Sequence, residues 1–384
     1  MYEGHRYQGL IIQMVGFFKY LKSTGRSSDY AFKIKESIKK TESFNTRMGK
    51  IQSFLVAVRE PLVLFVVLSV IYIQVIIFQE SLGILLLSLM FLYRAINYVM
   101  AVQTNWNGYL SFSGSLNNVQ NFLKELEANK QIYGSKVFKS FKDKIEIKDV
   151  NFNYNSSREV LKGINLIIDK NKTVAFVGAS GSGKTTLVNL VTGLLQPTSG
   201  ELYIDGNDLL DIDIRTLQNK IGYITQEPVM FDDSIFNNVT FWAEKNKVNI
   251  DKFWSAVNQA AIEGFVRSLP LKEDEQMGSN GVMVSGGQKQ RVSIARELYK
   301  EIDILVMDEA TASLDSNTEL EIQQNIENLR GHYTMLIVAH RLSTIKNADL
   351  IVIMNNGVIS DKGSFSDLYH KNESFKQMVD MQEL

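Results

Sequence analysis

Apolar and polar positions divide the chain into three stretches with different periods. Residues 10–60 mix apolar and basic positions at helical spacing, which predicts long solvated helices. Residues 62–78 (LVLFVVLSVIYIQVIIF) then run without a charge, broken only by Ser69 and Gln74. A polar turn of Gln79, Glu80 and Ser81 leads into residues 82–93 (LGILLLSLMFLY), and after Arg94 a mostly apolar stretch continues to Val102. A helix that crosses a bilayer needs about 20 predominantly apolar residues, and each arm reaches that length by including a few polar positions. The pattern predicts a membrane hairpin with helices over about 59–79 and 82–103. The plainer alternative is a buried helical hairpin in a soluble protein. Residues 103–142 turn polar again and read as an exit helix followed by a linker.

From Lys144 the period shortens towards two, through Ile145, Ile147, Val150, Phe152 and Tyr154, as in a strand. Beyond it, VAFVG (174–178), IGYIT (221–225), DILVM (303–307), TMLIVA (334–339) and DLIVIM (349–354) read as buried strands between helical stretches. That alternation predicts an α/β domain with a largely parallel sheet.

One loop in this domain carries chemistry. Gly178-Ala179-Ser180-Gly181-Ser182-Gly183-Lys184-Thr185 fits G-x-x-x-x-G-K-[ST], after an apolar strand and before the helical run TTLVNLVTGLL that starts at Thr185 and Thr186. Strand, loop and helix together are the context this phosphate-binding motif requires. Glycines let the backbone turn its N–H groups towards phosphate oxygens, and the helix adds its positive N-terminal end. Lys184 supplies a charge for the β- and γ-phosphates, and the Thr185 hydroxyl can ligate Mg²⁺. Asp308 and Glu309 close a later strand, where doubly wound sheets bind ligands. Asp308 is the candidate metal carboxylate and Glu309 the group that polarises the attacking water.

Composition narrows the choice further. A net charge of −1 gives no basic field for nucleic acid. The absence of cysteine excludes disulfides, thiolate metal sites and a thiol nucleophile. Four histidines (His5, His332, His340, His370) are too few and too scattered for a His-rich metal centre. Residues 1–9 (MYEGHRYQG) lack the apolar core of a secretory signal. Ten basic residues against four acidic ones between Lys19 and Glu60 set the start of the first arm on the cytosolic side.

Val284-Ser285-Gly286-Gly287-Gln288, followed by Lys289-Gln290-Arg291, resembles the signature motif of ATP-binding cassette (ABC) ATPases, with Val284 where the family usually has Leu. Further matches follow in order. Tyr154 resembles the aromatic residue that stacks on adenine, Gln226 the Q-loop glutamine and Mg²⁺ neighbour, Ser313-Leu314-Asp315 the D-loop, and His340 the switch histidine. The resemblance covers about residues 144–365. It implies an α/β P-loop NTPase, an ABC ATPase domain with a helical subdomain, preceded by an all-α transmembrane hairpin. ATP and Mg²⁺ would be its cofactors. Two such domains would share each site, with Ser285, Gly286, Gly287 and Gln288 acting on the partner's nucleotide and Glu309 and His340 carrying the chemistry. Residues 278–281 (GSNG) depart from the family, which commonly has a Glu between the two glycines.

Residues 8–25 resemble the second cytoplasmic loop of exporter-type ABC transporters, with a coupling helix near residues 17–28, and the hairpin resembles their fifth and sixth membrane helices. Residues 91–111 (FLYRAINYVMAVQTNWNGYLS) are loosely similar to lipid-linked oligosaccharide flippases. The expected organisation is a partial membrane domain over 1–135, with a cytoplasmic loop over 1–58 and an exit helix and linker over 104–142, and a nucleotide-binding domain over 143–384. An exporter half-transporter carries six membrane helices, so the chain reads as its N-terminally truncated C-terminal portion. The expected partners are a membrane, a second nucleotide-binding domain in a homodimer or heterodimer and an unknown transported substrate. The expected location is multi-pass in the cytoplasmic membrane, with the nucleotide domain in the cytoplasm. The alternatives are a non-transporting fragment that keeps its ATPase domain and a soluble ABC ATPase acting on DNA or ribosomes.

Overall fold

The computed structural model describes residues 2–78, 82–131, 133–154, 159–278, 281–308, 324–339 and 345–382. The chain divides into two compact units, residues 1–128 and 129–384.

The first unit is entirely helical in its described residues: α1 (Tyr2–Gly16), α2 (Phe18–Ser23), α3 (Ser27–Tyr72) and α4 (Leu82–Ala128). α2 occupies the expected coupling segment, and Gly25, at φ 69°, closes it before α3 begins. An Arg26–Asp29 ion pair of 2.8 Å lies at the start of α3. α3 is 46 residues long, roughly 69 Å at 1.5 Å per residue. It therefore runs through the expected boundary at residue 58 without a break, because the basic segment before it keeps helical periodicity. Pro61 lies inside α3, where its missing N–H removes one i→i−4 bond; the last charges, Arg59 and Glu60, immediately precede it. A π-turn over Ile73–Ile77 ends the helix.

Both polar residues of the first apolar arm have partners. The Ser69 hydroxyl donates to the Phe65 carbonyl at 2.8 Å, and the Ser88 hydroxyl on α4 donates to Gln74 Oε1 at 2.8 Å. Internal pairing of this kind is what an apolar solvent would demand. The turn residues Gln79, Glu80 and Ser81 lie outside the described residues.

The second unit contains two sheets. Five strands of the larger one are parallel, in the order β9 (Leu350–Asn355), β3 (Thr173–Val177), β8 (Thr334–Val338), β7 (Ile304–Asp308) and β6 (Ile221–Ile224). β10 (Val358–Gly363) pairs antiparallel with β9 at the edge. Periodicity singled out these five parallel strands. Of the second sheet, an antiparallel layer ordered β2 (Glu159–Asp169), β1 (Lys144–Asn153), β4 (Ser199–Ile204) and β5 (Asn207–Asp208), it singled out only β1.

The helices are α5 (Lys184–Val191), α6 (Ile214–Gln218), α7 (Ile235–Thr240), α8 (Lys247–Gln259), α9 (Glu263–Ser268), α10 (Gly286–Tyr299), α11 (Phe365–Lys371) and α12 (Glu373–Gln382). One core packs the antiparallel layer and α5 against one face of the parallel sheet, through Ile145, Leu161, Leu187, Leu190 and Phe176. A second core packs α7, α8 and α10 against the other face, through Phe236, Phe253, Val257, Ile294 and Leu305. Two-sided burial explains why β3 and β8 are apolar and inaccessible at nearly every position.

The segment before β1 is held to this unit. Phe138 and Phe141 are buried. The Phe138 amide donates to Thr216 Oγ1 at 2.8 Å, and the Phe141 amide to Asp303 Oδ2 at 3.0 Å. The Lys142 and Asp143 amides donate to the two oxygens of Asp205, each at 2.8 Å.

Candidate functional site

β3 is buried along its whole length and delivers the chain to Gly178 at its carboxyl end. There the backbone must turn sharply, and two glycines make the turn sterically possible. A Cβ on Gly178 would lie 2.2 Å from the Met354 carbonyl oxygen. Gly183 caps α5 at φ 102°, and a Cβ there would lie 2.7 Å from Leu161 Cδ2. Side chains would both clash and disfavour this backbone. The turn leaves Ser180 and Gly181 exposed at the tip and Ser182 buried below it.

Lys184 is only 5% exposed. Its ammonium donates to the carbonyls of Gly178 at 2.9 Å and Ala179 at 3.0 Å. The charge is therefore folded back over the loop, inside a ring of backbone groups. The Ser182 hydroxyl is buried and has no hydrogen-bond partner among the described residues. Buried hydroxyls are nearly always satisfied, so this orphan beside a lysine fits a cradle for anionic oxygens. Thr186, the second threonine of α5, lies 3.3 Å through Oγ1 from the Tyr154 hydroxyl. The Tyr154 ring stands at the end of β1, edge-on to Phe152 at 4.9 Å between centroids, and is exposed enough to offer a flat face.

Asp308 ends β7, and its carboxylate Oδ1 accepts from Thr185 Oγ1 at 3.3 Å. Mg²⁺ at about 2.1 Å from its ligands sets neighbouring octahedral oxygens about 3 Å apart, so this hydroxyl–carboxylate pair fits two adjacent positions on such an ion. Among the described residues no group of three or more His, Cys, Asp or Glu could hold a metal. A cation here would rest on one carboxylate, one hydroxyl and the oxygens of its ligand, as Mg²⁺ does in phosphate sites. Gln226 follows the end of β6 and is exposed.

Ser285 forms the N-cap of α10. Its hydroxyl accepts from the Gln288 amide at 3.3 Å, and the Gln288 side chain accepts from the Ser285 amide at 2.8 Å. This reciprocal capping box fixes the first turn, with Gly286 and Gly287 as its first two helical residues. Glycines there add no side chain of their own at the amide end of α10, where Gly286 is exposed and Gly287 buried. Gly278 and Gly281 flank a pair, Ser279 and Asn280, that lies outside the described residues. Glu309, Ser313, Leu314, Asp315 and His340 also lie outside them.

Three residues that sequence reasoning did not single out join these elements. Tyr223 on β6 places its hydroxyl 3.1 Å from Asn189 Oδ1 and 3.5 Å from Asp308 Oδ2. Burial, followed by the Asp308 charge and its hydrogen bond, raises the phenol well above its ordinary value, so it stays a donor. Glu297 on α10 accepts from the Tyr223 amide at 3.3 Å and pairs with Lys300 at 2.6 Å. Arg296 is buried, which pulls its guanidinium below its ordinary value. It donates to the Asn238 carbonyl at 2.5 Å, the Val229 carbonyl at 2.7 Å and Asn238 Oδ1 at 3.0 Å. The only sequence signal for them was a charged pair on the apolar-periodic helix after Gln288.

Comparison with known proteins agrees with this geometry. Residues 161–312 match the ABC transporter family. The chain is 40% identical over 240 residues to an ATP-dependent lipid A-core flippase of Syntrophus aciditrophicus (strain SB), covering 62% of this chain and 39% of the flippase. It is equally identical, over 240 residues, to human ATP-binding cassette sub-family B member 5, covering 62% of this chain and 19% of that protein. The chain thus spans between about a fifth and two fifths of these relatives. Among solved structures, a bacterial Atm1-family ABC exporter with ATP bound superposes with a TM-score of 0.85 at 24% identity. That match covers 99% of this chain and 66% of the exporter, which is a likeness of fold.

Proposed function

We propose that the C-terminal unit, whose residues 161–312 match the ABC transporter family, is an ATP-binding domain of that family, and that the chain is the ATP-binding and ATP-hydrolysing subunit of a membrane exporter. The observation that carries this reading is the convergence of Lys184, the unpartnered Ser182 hydroxyl and the Thr185–Asp308 pair at the carboxyl ends of β3 and β7.

Each group has a task in that reading. The adenine stacks on Tyr154, whose face is exposed. The phosphates enter the turn between Gly178 and Gly183, where backbone amides, the Ser182 hydroxyl and the α5 N-terminus meet them. Lys184 exchanges its two carbonyl partners for β- and γ-phosphate oxygens. Thr185 and Asp308 would hold Mg²⁺ with Gln226 beside them, and such an ion would supply positive charge to the phosphates. Glu309 orients a water and accepts its proton as the oxygen attacks the γ-phosphorus. The bond from that phosphorus to the β–γ bridging oxygen breaks, and His340 contacts the γ-phosphate. Catalysis of this kind is chiefly positioning and electrostatic stabilisation.

The site is completed by a second nucleotide-binding domain, whose Ser285 cap and Gly287 amide cover the γ-phosphate at a helix N-terminus. Closure on ATP and opening after hydrolysis form a two-state movement that a membrane domain can use. Two helices, Ser27–Ile77 and Gly83–Ala128, are apolar and long enough to cross a membrane, which supports a membrane location; the basic flank before the first arm favours a nucleotide domain in the cytoplasm. ATP turnover by the full chain in detergent is the test. The wild type should hydrolyse ATP and Glu309→Gln should bind it without turnover. Wild-type turnover in Glu309→Gln would refute the assignment.

A further inference from the structure

Tyr223 carries a hydroxyl that its place in the sheet does not require. Its backbone is fixed by pairing with Val306 of β7 and by the Glu297 contact. Its ring packs on the core shared with α5, where a phenylalanine would pack as well. A half-buried phenol needs a hydrogen-bond partner. The two that it reaches are Asn189, one turn beyond Thr185 on α5, and Asp308 at the end of β7. The two oxygens of Asp308 are thereby divided between two hydroxyls: Oδ1 faces Thr185 and Oδ2 faces Tyr223.

We propose that Tyr223 is a positioning residue for the metal carboxylate: its hydroxyl holds Asp308 Oδ2, so that Oδ1 is presented beside Thr185. The inference rests on the reading of Asp308 as the Mg²⁺ carboxylate. The phenol lies closer to Asn189 Oδ1, at 3.1 Å, to which it can also donate; with the Asn189 amide turned so that its Nδ2 donates to the phenol oxygen, the proton is left for Asp308. Distances in an empty site are longer than in a loaded one, so the 3.5 Å separation is expected to shorten once a cation draws charge towards Oδ1. Partners that orient a metal ligand commonly change metal affinity by about 10–100-fold. A bond this long belongs at the lower end.

The test uses the full chain saturated with ADP and titrated with Mn²⁺, with free Mn²⁺ read by electron paramagnetic resonance. Tyr223→Phe should weaken Mn²⁺ binding by about tenfold and leave ADP affinity in EDTA unchanged. Mn²⁺ affinity equal to wild type overturns the proposal. So does a parallel loss of ADP affinity in EDTA, which would mark Tyr223 as a packing residue. Asp308→Asn separates the two layers of argument: if it binds Mn²⁺ like the wild type, the metal reading itself fails. A second readout needs no loss of the hydroxyl. 3-Fluorotyrosine at position 223 should show a ¹⁹F shift when Mg²⁺ is added to the ADP-loaded protein, and none in the Asp308→Asn background. An unmoved resonance in the Asp308 protein overturns the proposal even where the phenylalanine variant is too unstable to titrate.

Discussion

Replacing Arg296 by Met tests the join between the segment after Gln226 and α10. The guanidinium donates to three oxygens, and their surroundings differ. Asn238 is fully buried, so its carbonyl would lose a donor far from water, at a cost of about 1–3 kcal/mol. Asn238 Oδ1 keeps the Phe231 amide at 2.9 Å, and Val229 is exposed, so water replaces the third bond. The guanidinium also stands 5.3 Å from the Phe231 ring and 5.4 Å from the Phe241 ring, contacts of about 1–2 kcal/mol together. Methionine fills much of the volume and removes the desolvation of a buried charge, which offsets part of the loss. The expected destabilisation is about 2 kcal/mol, or roughly 4–8 °C in the melting temperature of a domain this size. Thermal unfolding of the full chain in detergent, followed by tryptophan emission, measures it, since Trp242 lies 5.0 Å from Phe231. Arg296→Lys should recover less than half, because an ammonium cannot reproduce the planar fork. A methionine variant at least as stable as wild type would refute the reasoning, since desolvation would then outweigh every bond made by Arg296.

Lys184→Ala should weaken ATP affinity by about 10–100-fold, the equivalent of one or two charge-assisted bonds, as read by fluorescent-nucleotide titration. Gly183→Ala, at φ 102° with Leu161 2.7 Å away, should abolish measurable nucleotide binding and lower the melting temperature. Ser285→Ala removes the α10 cap, so it should cost about 1 kcal/mol of stability and lower ATP turnover more than ATP affinity. Asp233 accepts from Asn237, Trp242 and the Ser234 amide, in that order of effect, which hold its carboxyl below the usual range. Its stabilising contribution is therefore complete above the unfolded value near about 4 and is lost as pH falls through the lower folded value. Trp242 emission should change across that acid window in wild type and stay flat in Asp233→Asn.

The parallel sheet was legible because burial on both faces writes each strand as an unbroken apolar run, as in β3 and β8. Of the antiparallel layer only β1 was legible, from the alternation that runs through Ile145, Ile147, Val150 and Phe152 despite a register shift between Ile147 and Val150, around Asp149 at φ 48°. The others were not singled out: β5 is two residues long, and β4 buries only Leu202 and Ile204. The phosphate turn was legible because its chemistry demands glycines at fixed spacing. Tyr223, Arg296 and Glu297 were not, because an aromatic in a strand and charges on a helix are ordinary taken singly, and only the fold brings them to one place.

Adjacent residues of α10 grip the two ends of one short segment. Glu297 accepts from the Tyr223 amide and Arg296 donates to the Val229 carbonyl, with Gln226 between them. A nucleotide that draws Gln226 inwards therefore pulls on both anchors at once. The segment must either carry α10 with it or break one of these two charge-assisted bonds. Movement of the helix with its segment keeps both bonds and the capping box intact. On this argument the state of one nucleotide site reaches the Ser285 cap through rigid connections within a single domain, before any second domain takes part. Weakening the anchor should then uncouple the two. Glu297→Gln keeps an acceptor for the Tyr223 amide but gives up the ion pair with Lys300, so ATP should bind with near wild-type affinity. Protection of the α10 N-terminus from hydrogen exchange should nonetheless respond less to ATP than in wild type. An unchanged ATP-dependent protection pattern in that variant would mean that the signal reaches α10 by another route.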